Sequence, residues 1–204
     1  MADYTYREAK GADATAPLFF VFHGTGGDEN QFFDLASELL PGARVIAVRG
    51  DVSEGGALRY FRRTGEGVYD MNDLAQRTAQ MVDFVMARVA ESAPRAVIGL
   101  GYSNGANILA SAQFAAADLF DASVLMHPLI PFTPPEADFA GRKVLLTAGQ
   151  RDPICPAPMT QGLADYFRAH GAGTSLFWHP GGHELRPEEL RETQAFLAPF
   201  VSQG

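Results

Sequence analysis

Ser103 stands in the stretch Gly101-Tyr102-Ser103-Asn104-Gly105, a G-x-S-x-G pattern with an apolar run before it and an alanine-rich run after it. That context fits a nucleophile elbow, in which a strand turns sharply into a helix and lifts the serine hydroxyl to the carboxyl edge of a sheet. The flanking glycines have a physical reason: the two backbones approach closely there and leave no room for a Cβ. The helix beginning at Asn104 would aim the positive end of its dipole at any oxyanion formed on the serine. The alternative is a serine that merely caps a helix in a glycine-rich turn.

A serine hydroxyl is inert at neutral pH unless an imidazole takes its proton, and the imidazole needs a carboxylate to fix its tautomer. With this elbow the acid and then the histidine follow in chain order, each at the carboxyl end of a strand. Asp152 lies just past the apolar run 143–147, in GQRDPICP, and His183 lies in the loop after the run 174–178, in GGHEL. The competing carboxylates are worse placed. Asp118 and Asp121 precede their strand, Asp165 falls within a helix, and Asp138 sits in a proline-rich loop.

The remaining histidines read differently. His23 is a structural support for the loop that follows it, His170 a cation at a helix C-terminus, and His127 a pocket-lining residue. His179 remains the fallback base. Pro180-Gly181-Gly182 forbids a helix between His179 and His183, which removes the i,i+4 metal pair. No metal and no cofactor are expected.

Acyl transfer also needs fixed N–H donors for the developing oxyanion. One is the Asn104 amide. The other comes from the loop Gly24-Thr25-Gly26-Gly27, where the Thr25 amide is the choice. No Gly-Lys-Ser/Thr follows those glycines, so the loop is not a phosphate cradle. Gly99-Leu100-Gly101 lacks the third glycine of a dinucleotide fingerprint, its place being held by Asn104.

The elements that must position these residues follow from hydrophobic periodicity. Short apolar runs at 18–23, 43–48, 96–101, 123–126, 143–147 and 174–178 predict strands, with an N-terminal edge strand around Tyr4 and Tyr6. Between them the spacing predicts a helix from Asp28 to Leu40, a long one from Asn72 or Asp73 to Pro94, and others over 104–117, 157–170 and 187–201. Strands alternating with helices give a mostly parallel central sheet with helices on both faces. The reading is one domain over residues 1–204, which the elbow motif makes an α/β-hydrolase fold.

Composition agrees. A chain of 204 residues that is 47% hydrophobic can bury a proper core. A net charge of −8 argues against a nucleic-acid or anionic-membrane partner. The single cysteine, Cys155, excludes an internal disulfide and suits a reducing compartment. With no signal-like N-terminus and no membrane-length apolar run, the expected address is the cytoplasm.

Taken in order, HGTGGDE, GYSNGA, GQRDPICP and GGHEL resemble the bacterial carboxylesterase branch of the phospholipase/carboxylesterase family, small cap-less α/β hydrolases related to acyl-protein thioesterases. The resemblance implies Ser103, Asp152 and His183 as the triad, with the Thr25 and Asn104 amides as the oxyanion hole. It also implies that residues 59–74 cross the mouth of the site, and that a homodimer is possible. Thioesterase-type members carry H-G-L-G-D in the first loop, and His23-Gly24-Thr25-Gly26-Gly27-Asp28 departs from it. That departure favours small or medium esters over protein depalmitoylation. Phe61, Tyr69, Met71, Leu129, Ile130, Phe132 and Ile154 lie on segments expected near the site and point to an apolar ester substrate. The rivals are a thioesterase or lysophospholipase with the same triad, and a non-catalytic ligand-binding protein of hydrolase fold.

Overall fold

A computed structural model describes residues 4–201. Seven strands form the central sheet: β1 (Tyr6–Ala9), β2 (Leu18–Phe22), β3 (Arg44–Val48), β8 (Val97–Tyr102), β9 (Ala122–Met126), β10 (Lys143–Gly149) and β11 (Gly173–His179). Their order is β1-β3-β2-β8-β9-β10-β11, all pairs parallel except β1 with β3. Four short strands between β3 and the next helix make two antiparallel hairpins. They are β4 (Val52–Glu54) with β5 (Ala57–Arg59), and β6 (Arg63–Gly65) with β7 (Val68–Tyr69).

Both faces of the sheet are covered, because successive residues of a strand point to opposite sides. In β2, Leu18, Phe20 and Phe22 join one apolar cluster, and Phe19 and Val21 join the other. On the first face pack α2 (Met71–Ala90), α3 (Asn104–Ala115) and α4 (Ala157–Ala169). On the second pack α1 (Phe33–Leu39) and α5 (Pro187–Leu197), which touch each other. The architecture is an α/β-hydrolase fold. No helix among the described residues is long and apolar enough to cross a membrane.

The six core strands fall where periodicity places them, and the helix boundaries move for local reasons. The first helix starts at Phe33, not at Asp28, because the Asp28 carboxylate accepts the Asn30 amide at 2.8 Å in a turn. The second begins one or two residues earlier, at Met71, capped by Asp70 accepting the Asp73 amide at 3.1 Å. That frees Asp73, buried, to accept the Arg62 amide at 2.6 Å and hold the hairpin segment against the helix. Pro199 ends α5 regularly at Leu197, followed by one 3₁₀ turn over Ala198–Phe200. Tyr4 is buried but precedes the edge strand.

Candidate active site

The elbow forms where β8 turns into α3. Ser103 adopts φ 53° and ψ −117°, a left-handed backbone costly for any residue but glycine. The surroundings hold it there. The Ser103 amide donates to the Met126 carbonyl at 2.9 Å, and the Asn107 amide donates to the Ser103 carbonyl at 3.0 Å. A Cβ on Gly101 would stand 2.5 Å from the Gly105 carbonyl oxygen, and one on Gly105 would stand 2.3 Å from the Phe22 carbonyl oxygen. The strand-to-helix reversal therefore exists only with glycine at both positions.

Ser103, His183 and Asp152 come together from three different connections. The Ser103 Oγ lies 2.9 Å from His183 Nε2, and His183 Nδ1 lies 2.7 Å from Asp152 Oδ2. The ionised aspartate accepts from Nδ1, which leaves the Nε2 lone pair facing the serine hydroxyl. Asp152 is rigidly held, because its Oδ1 accepts the Ile154 and Cys155 amides at 2.8 and 2.9 Å. Burial would raise the Asp152 carboxyl, but hydrogen bonds from His127, His183 and those amides hold it well below the usual range. The Tyr102 hydroxyl donates to the His183 carbonyl at 2.7 Å, fixing the loop that carries the ring.

Two glycines separate the fates of His179 and His183. His179, at the end of β11, turns inward, where its Nε2 lies 3.2 Å from Glu189. Its Nδ1 accepts the Gly181 amide at 3.0 Å. His183 turns outward to Ser103. The fallback base thus meets Glu189 and His127, while it is His183 that meets Ser103.

In the first loop, the Gly24 amide donates to Gln31 Oε1 at 2.8 Å, the Gly26 amide to the Leu58 carbonyl at 2.9 Å and the Gly27 amide to the Gly24 carbonyl at 3.0 Å. The Thr25 amide makes no such bond among the described residues, and neither does that of Asn104 at the start of α3. The Thr25 side chain is pinned: its Oγ1 accepts from Arg59 Nη1 at 2.9 Å. Asn104 is fixed as well, its Oδ1 accepting the Tyr60 amide at 2.8 Å. His23 supports the loop from beneath, donating from Nδ1 to the Gly24 carbonyl at 2.7 Å and accepting the Gly50 amide on Nε2 at 2.9 Å.

A cleft of about 380 Å³ opens over Ser103 and His183. Of the apolar residues expected around it, Tyr69, Leu129 and Ile154 line it. The others are placed elsewhere. Phe61 is fully buried behind Tyr69, its ring 4.8 Å away, and Ile130 is part of the core. Met71 and Phe132 line a separate apolar groove between α2 and α3. His127 lies beneath the site, fully buried, with its ring 5.1 Å from that of His183. Sequence spacing puts these residues on the right connections but does not say which side of a turn each one faces.

Several lining residues escape a sequence reading. Asn107, one helical turn after the elbow, accepts the Leu129 amide on Oδ1 at 2.7 Å and donates to the Tyr69 hydroxyl at 2.8 Å. Its i+4 spacing from Ser103 was the available signal. Arg59, Arg63 and Glu66 add a charged wall from the two hairpins. Arg59 and Arg63 lie 3.3 and 3.0 Å from Glu54, and Arg63 lies 3.2 Å from Glu66. Cys155 also faces the cleft, and burial pushes its thiol up, so it stays protonated.

Two sets of side chains cluster closely enough to share a metal ion: His127, Asp152 and His183, and His127, His179 and Glu189. Both fit poorly. In the second, a metal on His179 Nε2 would require a proton on the Nδ1 that accepts the Gly181 amide. In the first, His183 already spans Asp152 and Ser103 with its two nitrogens.

The chain matches the dienelactone hydrolase family over residues 12–187. It is 38% identical over 187 residues to MhqD of Bacillus subtilis (strain 168), covering 90% of this chain and 94% of that protein. Among solved structures it is similar to Atu2452 of Agrobacterium tumefaciens (52% identity, TM-score 0.93, 97% of each chain). It is also similar to the Bacillus cereus carboxylesterase (33% identity, TM-score 0.92, 98% of this chain and 96% of that one). The family shown is that of the dienelactone hydrolases, which is not the phospholipase/carboxylesterase branch that the motifs resemble. This chain belongs to the dienelactone hydrolase family and is a hydrolase of the dienelactone hydrolase and carboxylesterase type.

Proposed function

We propose that this protein is a serine carboxylesterase of the bacterial carboxylesterase branch, cleaving small to medium carboxylic esters through an acyl-enzyme on Ser103. The observation that carries the reading is the position of the His183 ring, between Ser103 Oγ at 2.9 Å and Asp152 Oδ2 at 2.7 Å. His183 Nε2 takes the serine proton as Oγ attacks the ester carbonyl, and Asp152 stabilises the imidazolium. The Thr25 and Asn104 amides receive the oxyanion. Collapse expels the alkoxide, which leaves with the proton from His183. A water deprotonated by the same nitrogen then releases the acid and restores the serine hydroxyl.

The size of the cleft favours short or medium substrates, with the apolar part on Tyr69, Leu129 and Ile154. Likeness to the Bacillus cereus carboxylesterase supports the ester over other acyl derivatives. A panel of p-nitrophenyl esters, acyl thioesters and amides graded by chain length tests the assignment. Turnover should be greatest on esters of short or medium acyl length. Preference for long-chain thioesters would make the protein a thioesterase instead.

A further inference from the structure

Behind Asp152 lies a second, fully buried layer of charge. His127, Asp152, His179 and Glu189 all have side chains with no exposure to solvent. His127 Nδ1 lies 2.8 Å from Asp152 Oδ2, the same oxygen that His183 meets at 2.7 Å. His127 Nε2 lies 3.0 Å from Glu189 Oε1. Both nitrogens of one imidazole therefore face carboxylate oxygens, and a neutral ring would set a lone pair against one of them. The donors around Glu189 favour its ionised form. Its Oε2 already accepts the Arg186 amide at 2.8 Å and faces His179 Nε2 at 3.2 Å, with His179 supplying the hydrogen because its Nδ1 is the acceptor.

The backbone is also committed. His127 has φ 52°, which makes it and Ser103 the non-glycine residues of positive φ among those described. The His127 amide donates to the Thr147 carbonyl at 2.8 Å, and the Cys155 thiol donates to the His127 carbonyl at 3.2 Å. Strain of this kind persists only where the surroundings over-determine it.

We infer that His127 is a positioning residue of this hydrolase site, a buried imidazolium that fixes Asp152 from behind, shares its Oδ2 with His183, and is neutralised by Glu189. The inference rests on the serine-hydrolase reading above. Burial alone would lower the proton affinity of His127, but hydrogen bonds to Asp152 and Glu189, and their charges, push it up to about 9. Burial would likewise raise the Glu189 carboxyl, but His127 brings it below its ordinary value.

A fixed cation beside His183 has a functional consequence. Its charge opposes that of Asp152 at the His183 ring. At a ring separation of 5.1 Å and an effective dielectric constant of about 20, one unit charge moves a neighbouring titration by about two units. The other groups facing these rings are Tyr102, which packs on both, the protonated Cys155 thiol 3.8 Å from His183 Nδ1, and neutral His179. None of them supplies a second cation.

The test is the pH profile of kcat/KM on a p-nitrophenyl ester for wild type, His127→Gln and Glu189→Gln. In the second variant the ring stays but loses the carboxylate that keeps it charged. The acid limb should move up by about one unit or more in both variants, a change that mere loosening of the fold would not produce. In parallel, ¹⁵N-histidine NMR of the wild type should show both His127 nitrogens protonated at pH 7, even if one variant fails to fold. A neutral His127 ring at pH 7, or an acid limb unmoved in an active variant, overturns the inference. A wild type that turns over no acyl substrate overturns instead the hydrolase reading on which it stands.

Discussion

The α-carbon of Gly105 lies so close to the carbonyl of Phe22 that a Cβ on the glycine would come within 2.3 Å of the Phe22 oxygen. Helix α3 is thereby seated directly on the end of β2, beside the loop that carries Thr25. The atom in the way is backbone in a central strand, which cannot rotate aside. Gly105→Ala should cost a few kcal/mol of stability, in the range of about 1–3 for overpacking a dense core. It should also lose most turnover, because Ser103 and the Asn104 amide move with the helix. Thermal denaturation and ester hydrolysis check this together, and a wild-type melting temperature would contradict it.

Much of the site follows from sequence alone because its chemistry is tied to chain order and to glycine. Ser103, Asp152 and His183 each follow an apolar strand run, and the parallel topology carries the ends of those strands to one edge. The supporting shell is less legible. Glu189 is one of several glutamates on an ordinary-looking amphipathic helix, and nothing in its spacing tells that α5 brings it under His127. The hairpins between Val52 and Tyr69 are too short and polar for periodicity to register; the resemblance carries residues 59–74 across the mouth of the site, but only the fold shows Arg59, Arg63 and Glu66 as the side chains that line it.

Asn107 ties two walls of the cleft together through Leu129 and the Tyr69 hydroxyl, both buried. Asn107→Leu removes both hydrogen bonds and leaves the Leu129 amide unpaired, which costs on the order of 1–3 kcal/mol. With the walls displaced and the elbow intact, KM should rise more than kcat falls. Steady-state kinetics over a substrate range separates the two, and an unchanged KM would count against the role.

Arg59 holds Thr25 through one hydrogen bond from a buried guanidinium. Loss of a single oxyanion donor typically lowers kcat by about 10²–10³. Arg59→Met, which keeps much of the apolar stem, should misplace the Thr25 amide and reduce kcat by about tenfold or more. Equal kcat in the variant would show that the loop holds its geometry without the arginine.

The buried charge pair behind Asp152 also makes stability depend on pH. His127 is held at about 9, above the ordinary value of 6.5 that it regains on unfolding. A group raised in the folded state stabilises fully below its unfolded value and loses that contribution as pH rises through its folded value. The melting temperature of the wild type should therefore fall between about pH 6.5 and 9 relative to that of His127→Gln. Differential scanning calorimetry from pH 6 to 10 reads the gap between them, and curves that stay parallel would contradict the charge state.

The central claim is that Ser103 carries the acyl group. Intact-mass spectrometry of the protein quenched during turnover of p-nitrophenyl acetate, with peptide mapping, measures this directly. An acetyl adduct on Ser103 is expected, absent in Ser103→Ala, whose turnover should fall by at least about 10⁴-fold. An adduct on another residue, or wild-type turnover by Ser103→Ala, would contradict it.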